Sequence, residues 1–371
     1  MKMLKPIHQA DCAPALIACQ SMMQKFSFWL CDATVSSVNI TEQGLRPPTL
    51  NSQIETNWLW NFLQRETDSK QLLERAKTVA DMDSQYKTAL RVWLNTVTNF
   101  NAQFQANPTA WPSAPLDIGR DNWKAYKELM LSFYSKGLHQ VGLPYKANGT
   151  PTACSGEYLT YKKFKNDFLS KNRIVVRDDV ESVCVLCGGA MEQIDVDHWV
   201  YEAAYPILSI CANNLVPICS TCNKRPNKGT KDVHTNGSFS DWFHPYLRPG
   251  NNAFSLNYRI QPRLSVEMNS SGAGDVNKVS NLDGLLNLTS RWTKKFKAEY
   301  RDKQEEVRRL KDLHIRKNRP PLTQQDIQQR FEDEKEIMAP HSAHYEVRQL
   351  VCDTILEKAR LDAWQQELDL E

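Results

Sequence analysis

Apolar and polar residues along this chain follow two rhythms, and the changes between them divide it into three regions. In "YKTALRVWLNTVTNF", Tyr86, Leu90, Trp93, Leu94 and Val97 recur at helical spacing, which predicts an amphipathic helix with one core-facing stripe. "DNWKAYKELMLSFYSKG" repeats the device with Trp123, Tyr126, Met130 and Phe133 on one side. Asp121 stands where an N-cap is expected and Gly137 where a helix stops. Between the two, "NPTAWPSAPLDIG" carries three prolines and predicts a loop. Residues 1–150 therefore read as a helical region for recognising a substrate or partner. Its Trp and Tyr stripes suit base stacking in principle, but helical spacing assigns them to core packing.

Residues 151–250 change character, with glycines, cysteines and turn residues in place of long periodic runs. Residues 251–371 begin after "HPYLRPGNN" with "FSLNYRIQPRLSVEM", whose rough alternation predicts strand structure. "NSSGAGD" follows as a flexible turn. From about Leu282 the pattern is helical to the end, with one break at "NRPPLT". Between Leu288 and Arg319 twelve lysines and arginines face five acids, a balance of +7. Such a run solvates a helix face or follows a phosphate backbone, and Lys294, Lys295 and Lys297 are the residues singled out for the second role. Leu285, Leu288, Trp292 and Phe296 are expected to point the other way, into a core.

Composition adds limits. A chain of 371 residues with 41% hydrophobic content and ten tryptophans is long and apolar enough for two or three cores. A net charge of +3 excludes a bulk polyanion binder, so any basic surface must be local. No apolar run reaches bilayer-spanning length, and Pro6, His8, Asp11 and Pro14 interrupt the start, where a signal peptide needs an apolar run. A cytoplasmic protein with no membrane partner is expected. Cys12, Cys19, Cys31, Cys154, Cys211 and Cys352 are scattered and read as small buried residues.

The remaining four cysteines are paired. "CVLC" (Cys184, Cys187) and "CSTC" (Cys219, Cys222) stand 31 residues apart. Each pair predicts a knuckle offering two thiolates, and together they complete a tetrahedral zinc shell. With all four positions filled, that zinc is structural and has no room for a substrate. The insert, "IDVDHWVYEAAYPILSICANNLVPICSTCNK", predicts strand, loop, strand and helix, with Ser220 a possible cap of the helix. His198 then lies on the first strand and Asn223 at the helix start, so both polar clusters meet at one end.

The order Asp-His, then Asn-Leu-Val-Pro-x-Cys, then Cys-Asn resembles the HNH endonucleases, in the subgroup whose ββα-metal core is stapled by a four-cysteine zinc. The resemblance runs from Cys184 to Lys228. It implies an α+β fold: a small central zinc-stapled core in 151–250, flanked by mainly α-helical N- and C-terminal regions. It also implies a metal-dependent nuclease. His198 would be the general base, a role its near-neutral intrinsic pKa suits. Asp197 and Asn223 would hold a catalytic Mg2+ or Mn2+, and Asn214 would brace the loop holding His198. Lys224, Arg225 and Lys228 would grip nucleic acid, DNA rather than RNA. Relatives place a lysine about three residues after the final Asn or His, whereas Pro226 stands there in "CNKRPNKGTK". That leaves Asn223 or Asn227 as the second metal ligand.

Asp195 belongs either beside His198 or on the solvent face of its strand, and the solvent face is the expectation. His244, in "WFHPYLRPG", reads as a structural histidine. Similar His-Pro-Tyr segments follow the core in some bacterial HNH proteins tied to defence against phage. Three functions stay open: an endonuclease, a zinc-finger-like nucleic-acid reader without the chemistry, and a nuclease subunit active only beside a partner such as an ATPase. The intact Asp197, His198, Asn214 and Asn223 set favours the first over the second. No P-loop motif is present, so energy coupling would have to come from another chain.

Overall fold

The computed structural model describes residues 7–172, 182–191, 193–260, 264–340 and 342–367. The first six residues, Gln261–Arg263 of the expected strand segment, and the last four residues lie outside that set. The chain is mainly helical, with three small sheets of two strands each.

The N-terminal region packs helices α1 (Ala13–Leu30), α2 (Glu42–Leu45), α3 (Gln53–Leu63), α4 (Leu72–Ala80), α5 (Ser84–Val97) and α6 (Arg120–Ser132), with a short hairpin of β1 (Glu66–Thr67) and β2 (Lys70–Gln71). Pro14 falls in the first turn of α1, where its missing N–H costs nothing, so it opens a helix that it seemed to interrupt. The stripe expected on α5 is buried at Leu90, Trp93, Leu94 and Val97. On α6 two boundaries move. Gly119, at φ +88°, is the N-cap, which places Asp121 inside the first turn. Gly137 does not stop the helix. The chain continues as a π-wound segment, Phe133–Val141, that ends at Gly142 with φ +84°. Gly137 lies against Leu143, where an added Cβ would stand 3.3 Å from its Cδ2.

The central region contains a helix the sequence reading did not assign, α7 (Tyr161–Asn172), which buries Phe164 and Phe168. The strands β3 (Ile194–His198) and β4 (Leu215–Cys219) follow, then the single-turn helix α8 (Ser220–Asn223). The expected strand in the third region is a hairpin, β5 (Phe254–Arg259) with β6 (Ser265–Ser270), paired from Phe254↔Ser270 to Arg259↔Ser265. Helices α9 (Val276–Leu286), α10 (Leu288–Arg316), α11 (Gln324–Ile337), α12 (Tyr345–Ile355) and α13 (Lys358–Glu367) complete the chain. After Leu282 breaks therefore fall between α9 and α10, between α11 and α12 and between α12 and α13, in addition to the expected one at "NRPPLT".

One apolar core runs through all three regions. The loop between β3 and β4 is tied to the N-terminal helices at several points. Gln20 Nε2 donates to the Ile207 carbonyl at 2.7 Å, Ser209 Oγ to the Met130 carbonyl at 2.9 Å, and the Tyr205 hydroxyl to the Pro112 carbonyl at 3.0 Å. The Tyr205 ring also stacks against Trp93. Of the scattered cysteines, Cys12, Cys19, Cys31 and Cys352 are buried as expected, Cys211 is half-buried, and Cys154 is exposed. No helix among the described residues is long and apolar enough to cross a membrane.

Candidate metal centre and adjoining polar site

The hairpin of β3 and β4 organises everything around it. Its antiparallel register pairs Ile194 with Cys219 at one end and His198 with Leu215 at the other. The cysteines therefore gather at one end and the Asp-His pair stands at the opposite one. Cys219 ends β4, and α8 turns at once to present Cys222. The first knuckle folds back on itself, with Cys184 N–H donating to the Gly189 carbonyl and Gly188 N–H to the Cys184 carbonyl. Gly188 sits at φ +68°, a conformation that glycine adopts without strain.

All four sulfurs lie within 4.8 Å of one another, and all four residues are buried. Cys184 Sγ is 4.0 Å from Cys222 Sγ, and Cys187 Sγ is 3.7 Å from Cys219 Sγ. A tetrahedral zinc with bonds of about 2.3 Å requires sulfur–sulfur edges of about 3.8 Å. The cluster therefore fits a four-thiolate zinc.

At the other end, His198 is 8% exposed. Its Nε2 donates to the Ser209 carbonyl at 2.8 Å, and its Nδ1 lies 3.0 Å from Glu202 Oε2. Burial alone would raise the Glu202 pKa, but the hydrogen bond and charge of His198 hold it below the ordinary carboxylate range. The His198 ring meets the Tyr134 ring edge-on at 4.5 Å, and Tyr134 also touches His139 and Tyr161. Burial, then the neighbouring His198, lowers the His139 pKa.

Asn214 is fully buried. Its Oδ1 accepts the Val200 N–H at 2.7 Å, and its Nδ2 donates to the carbonyls of Val200 and Leu208 at 3.1 and 3.2 Å. The side chain thus ties together both ends of the segment that curls round His198.

The pair expected to hold a catalytic ion is not assembled. Asp197, 4% exposed, faces the ammonium of Lys228, with Nζ 3.0 Å from each carboxylate oxygen and 2.8 Å from the His198 carbonyl. Burial pushes the Asp197 pKa up, against the pull of Lys228. Asn223 Nδ2 instead reaches the half-buried Asp195 at 3.4 Å, so Asp195 lies neither on His198 nor fully in solvent. Asn227 donates to the Thr221 carbonyl and accepts from Asn287 Nδ2. Among the described residues no second group of three His, Cys, Asp or Glu side chains comes together at metal-ligand distance. The arrangement does not fit a divalent ion shared by Asp197 and Asn223, or by Asp197 and Asn227.

Lys228 also departs from its expected role as a phosphate contact, since it is 1% exposed. The cause is local. Pro226 cannot continue α8, so the chain loops out, and Lys228 N–H returns to the Cys222 carbonyl. That return aims the side chain inward. Ser220 is the first residue of α8, whose N-cap is Cys219 with no side-chain bond. Lys224, Arg225, Lys294 and Lys297 are exposed, whereas Lys295 is half-buried and paired with Glu299 at 2.7 Å. His244 is fully buried, its Nδ1 accepting the N–H groups of Tyr246 and Leu247 at 3.1 Å each.

Sequence reading missed Glu202, the Ser209 carbonyl, Tyr134 and the inward turn of Lys228. Glu202 follows His198 by four residues in an irregular loop, where no periodicity flags it. Tyr134 comes from another region altogether. Comparison of the chain with protein families, with curated proteins and with solved structures finds no match. The residues themselves show a four-cysteine cluster suited to a metal, built into a fold of mixed helices and small two-stranded sheets.

Proposed function

We propose that this chain is an endonuclease of the HNH type, hydrolysing phosphodiester bonds in DNA. One observation carries the reading. Asp197 and His198 end a hairpin stapled by four cysteines, and Asn214 of the return segment ties down the loop that positions His198. The Ser209 carbonyl accepts a hydrogen bond from Nε2–H, so Nδ1 is the nitrogen that would accept a proton from water. Glu202 lies beside Nδ1 and would stabilise the imidazolium that forms. Its side chain is 35% exposed, and it would have to swing away from Nδ1 to admit the water. Lys228 fixes the backbone of His198 and neutralises Asp197. Lys224 and Arg225 are exposed and would contact phosphates. Mg2+ or Mn2+ is left out of these roles, because Lys228 holds Asp197 and Asn223 is turned to Asp195. Activity only beside a partner such as an ATPase, and a place in bacterial defence against phage, are extensions of the same reading.

A second reading, a nucleic-acid-binding module without catalysis, is favoured by one feature: Asp197 and both nitrogens of His198 already have partners within the chain. The experiment incubates purified protein with plasmid DNA and with RNA, with and without Mg2+ or Mn2+, beside a His198→Ala variant. The endonuclease reading expects the wild type to cut DNA and the variant to be inactive while keeping its zinc and its fold. A variant cutting at the wild-type rate overturns the role of His198. Binding with no cleavage under any metal condition selects the second reading.

A further inference from the structure

The thiolate cluster is held by more than its own two knuckles. Helix α10 begins beside them, and two consecutive residues near its start reach one knuckle each. Arg291 Nη1 donates to Cys222 Sγ at 3.3 Å and to the Leu286 carbonyl at 3.2 Å. Trp292, 2% exposed, donates from Nε1 to the Cys187 carbonyl at 3.0 Å. The junction of α9 and α10 adds further ties to the segment after the second knuckle. Lys231 Nζ donates to the carbonyls of Gly284 and Leu285 at 3.0 and 3.1 Å, and Asn287 Nδ2 to Asn227 Oδ1 at 3.0 Å. Near the first knuckle, His344 N–H donates to the Gly188 carbonyl at 2.6 Å.

Electrostatics gives this arrangement a purpose. Four thiolates around Zn2+ leave two excess negative charges in a buried site. Such charge is costly without a partner. A guanidinium donating to one sulfur offsets part of it and orients that ligand, as outer-shell partners of metal ligands do. In sequence Arg291 opens the basic run of α10 and looks like one more phosphate contact. Its actual neighbour is sulfur.

We propose that Arg291 is a positioning residue of the zinc centre, and that Arg291 and Trp292 make α10 a splint across both knuckles, so that zinc retention and docking of the C-terminal helices are one linked event. The proposal rests on the zinc reading of the four cysteines, not on nuclease activity. The full chain is first assayed for zinc stoichiometry, then titrated with a chromophoric zinc chelator as wild type, Arg291→Gln and Arg291→Lys. Arg291→Gln should bind zinc about 10- to 100-fold more weakly, as loss of an outer-shell partner typically does, and Arg291→Lys should fall between. At limiting zinc, Arg291→Gln should also be clipped faster by protease near the start of α10. A zinc affinity for Arg291→Gln within about twofold of wild type overturns the proposal, since loss of a working outer-shell contact exceeds that. Should Arg291→Gln fail to fold, Arg291→Lys decides by the same criterion. A wild-type chain that binds no zinc overturns the zinc reading and the proposal with it, whereas a zinc-loaded chain that cuts nothing touches only the nuclease reading.

Discussion

At the scale of single residues, Lys228 and His244 make the sharpest predictions. Lys228 and Asp197 form a buried ion pair, 1% and 4% exposed on their side chains. Removing one partner strands the other charge away from water, which typically costs about 3–5 kcal/mol. Lys228→Met should lower stability by that order in urea melts. Lys228→Met combined with Asp197→Asn should recover much of the loss. Equal stability of the two variants would show that the charges are not coupled. His244 predicts a pH dependence. Burial among Phe100, Phe104 and Trp199 pushes its pKa from an ordinary 6.5 down to about 3. Between those values the unfolded chain binds a proton that the native chain refuses. The stability contribution is therefore complete above pH 6.5 and is lost as pH falls toward 3. The loss approaches about 1.4 kcal/mol per pH unit within that window. Urea melts at several pH values should show this slope, and His244→Asn, which keeps an acceptor but does not titrate, should flatten it.

At the scale of elements, α10 serves two purposes on two faces. Its inner face buries Leu288, Trp292, Phe296 and Val307. On the outer face Lys294 and Lys297 are exposed, while Lys295 is committed to Glu299. If the outer face lies along DNA, Lys294→Gln with Lys297→Gln should reduce the slope of log affinity against log salt by up to about one unit per lysine. Lys295→Gln should change it far less. Fluorescence binding titrations at several salt concentrations read both, and unchanged slopes would return the face to plain solvation. The knuckles make a separate prediction. Cys219→Ser removes a ligand of a centre whose binding energy is folding energy, so zinc content and the cooperative melt should be lost together. A variant that melts like wild type with depleted metal would show that the cluster is not structural.

The same elements show what local pattern conveys. Helices α5 and α6 were legible because aromatic residues recur at helical spacing, and the β3–β4 hairpin because alternation and the paired cysteines fix its ends. The continuation past Gly137 was not legible. A glycine signals a stop by its own flexibility, but here its small size serves close packing on Leu143. The inward turn of Lys228 depends on how Pro226 breaks α8, which fixes an outcome only in three dimensions. Arg291 on Cys222 joins residues 69 positions apart, and a basic helix face looks the same in sequence whether it meets phosphate or sulfur.

At the scale of the whole molecule, the three regions are not strung in series. The helical N-terminal region grips the loop between β3 and β4, the C-terminal helices grip the cysteines, and the hairpin is held from both ends. The zinc-loaded chain should therefore melt in one main transition by calorimetry. Well-separated transitions for the N- and C-terminal regions would contradict the shared core.

The grip of the N-terminal helices on the loop that carries Tyr205, Ile207 and Ser209 has a consequence for portability. Domains that can be cut out and moved have boundaries crossed by few contacts. Here the segment shaping the His198 surroundings leans on Met130, Pro112, Gln20 and the Trp93 ring, all far outside the cysteine-flanked stretch. A cassette comprising only residues 182–250, grafted elsewhere, would carry the cysteines and the Asp-His pair yet leave that loop without its supports. The motif is therefore not a self-sufficient module in this chain: its geometry is on loan from helices that a pattern search would discard as flanks.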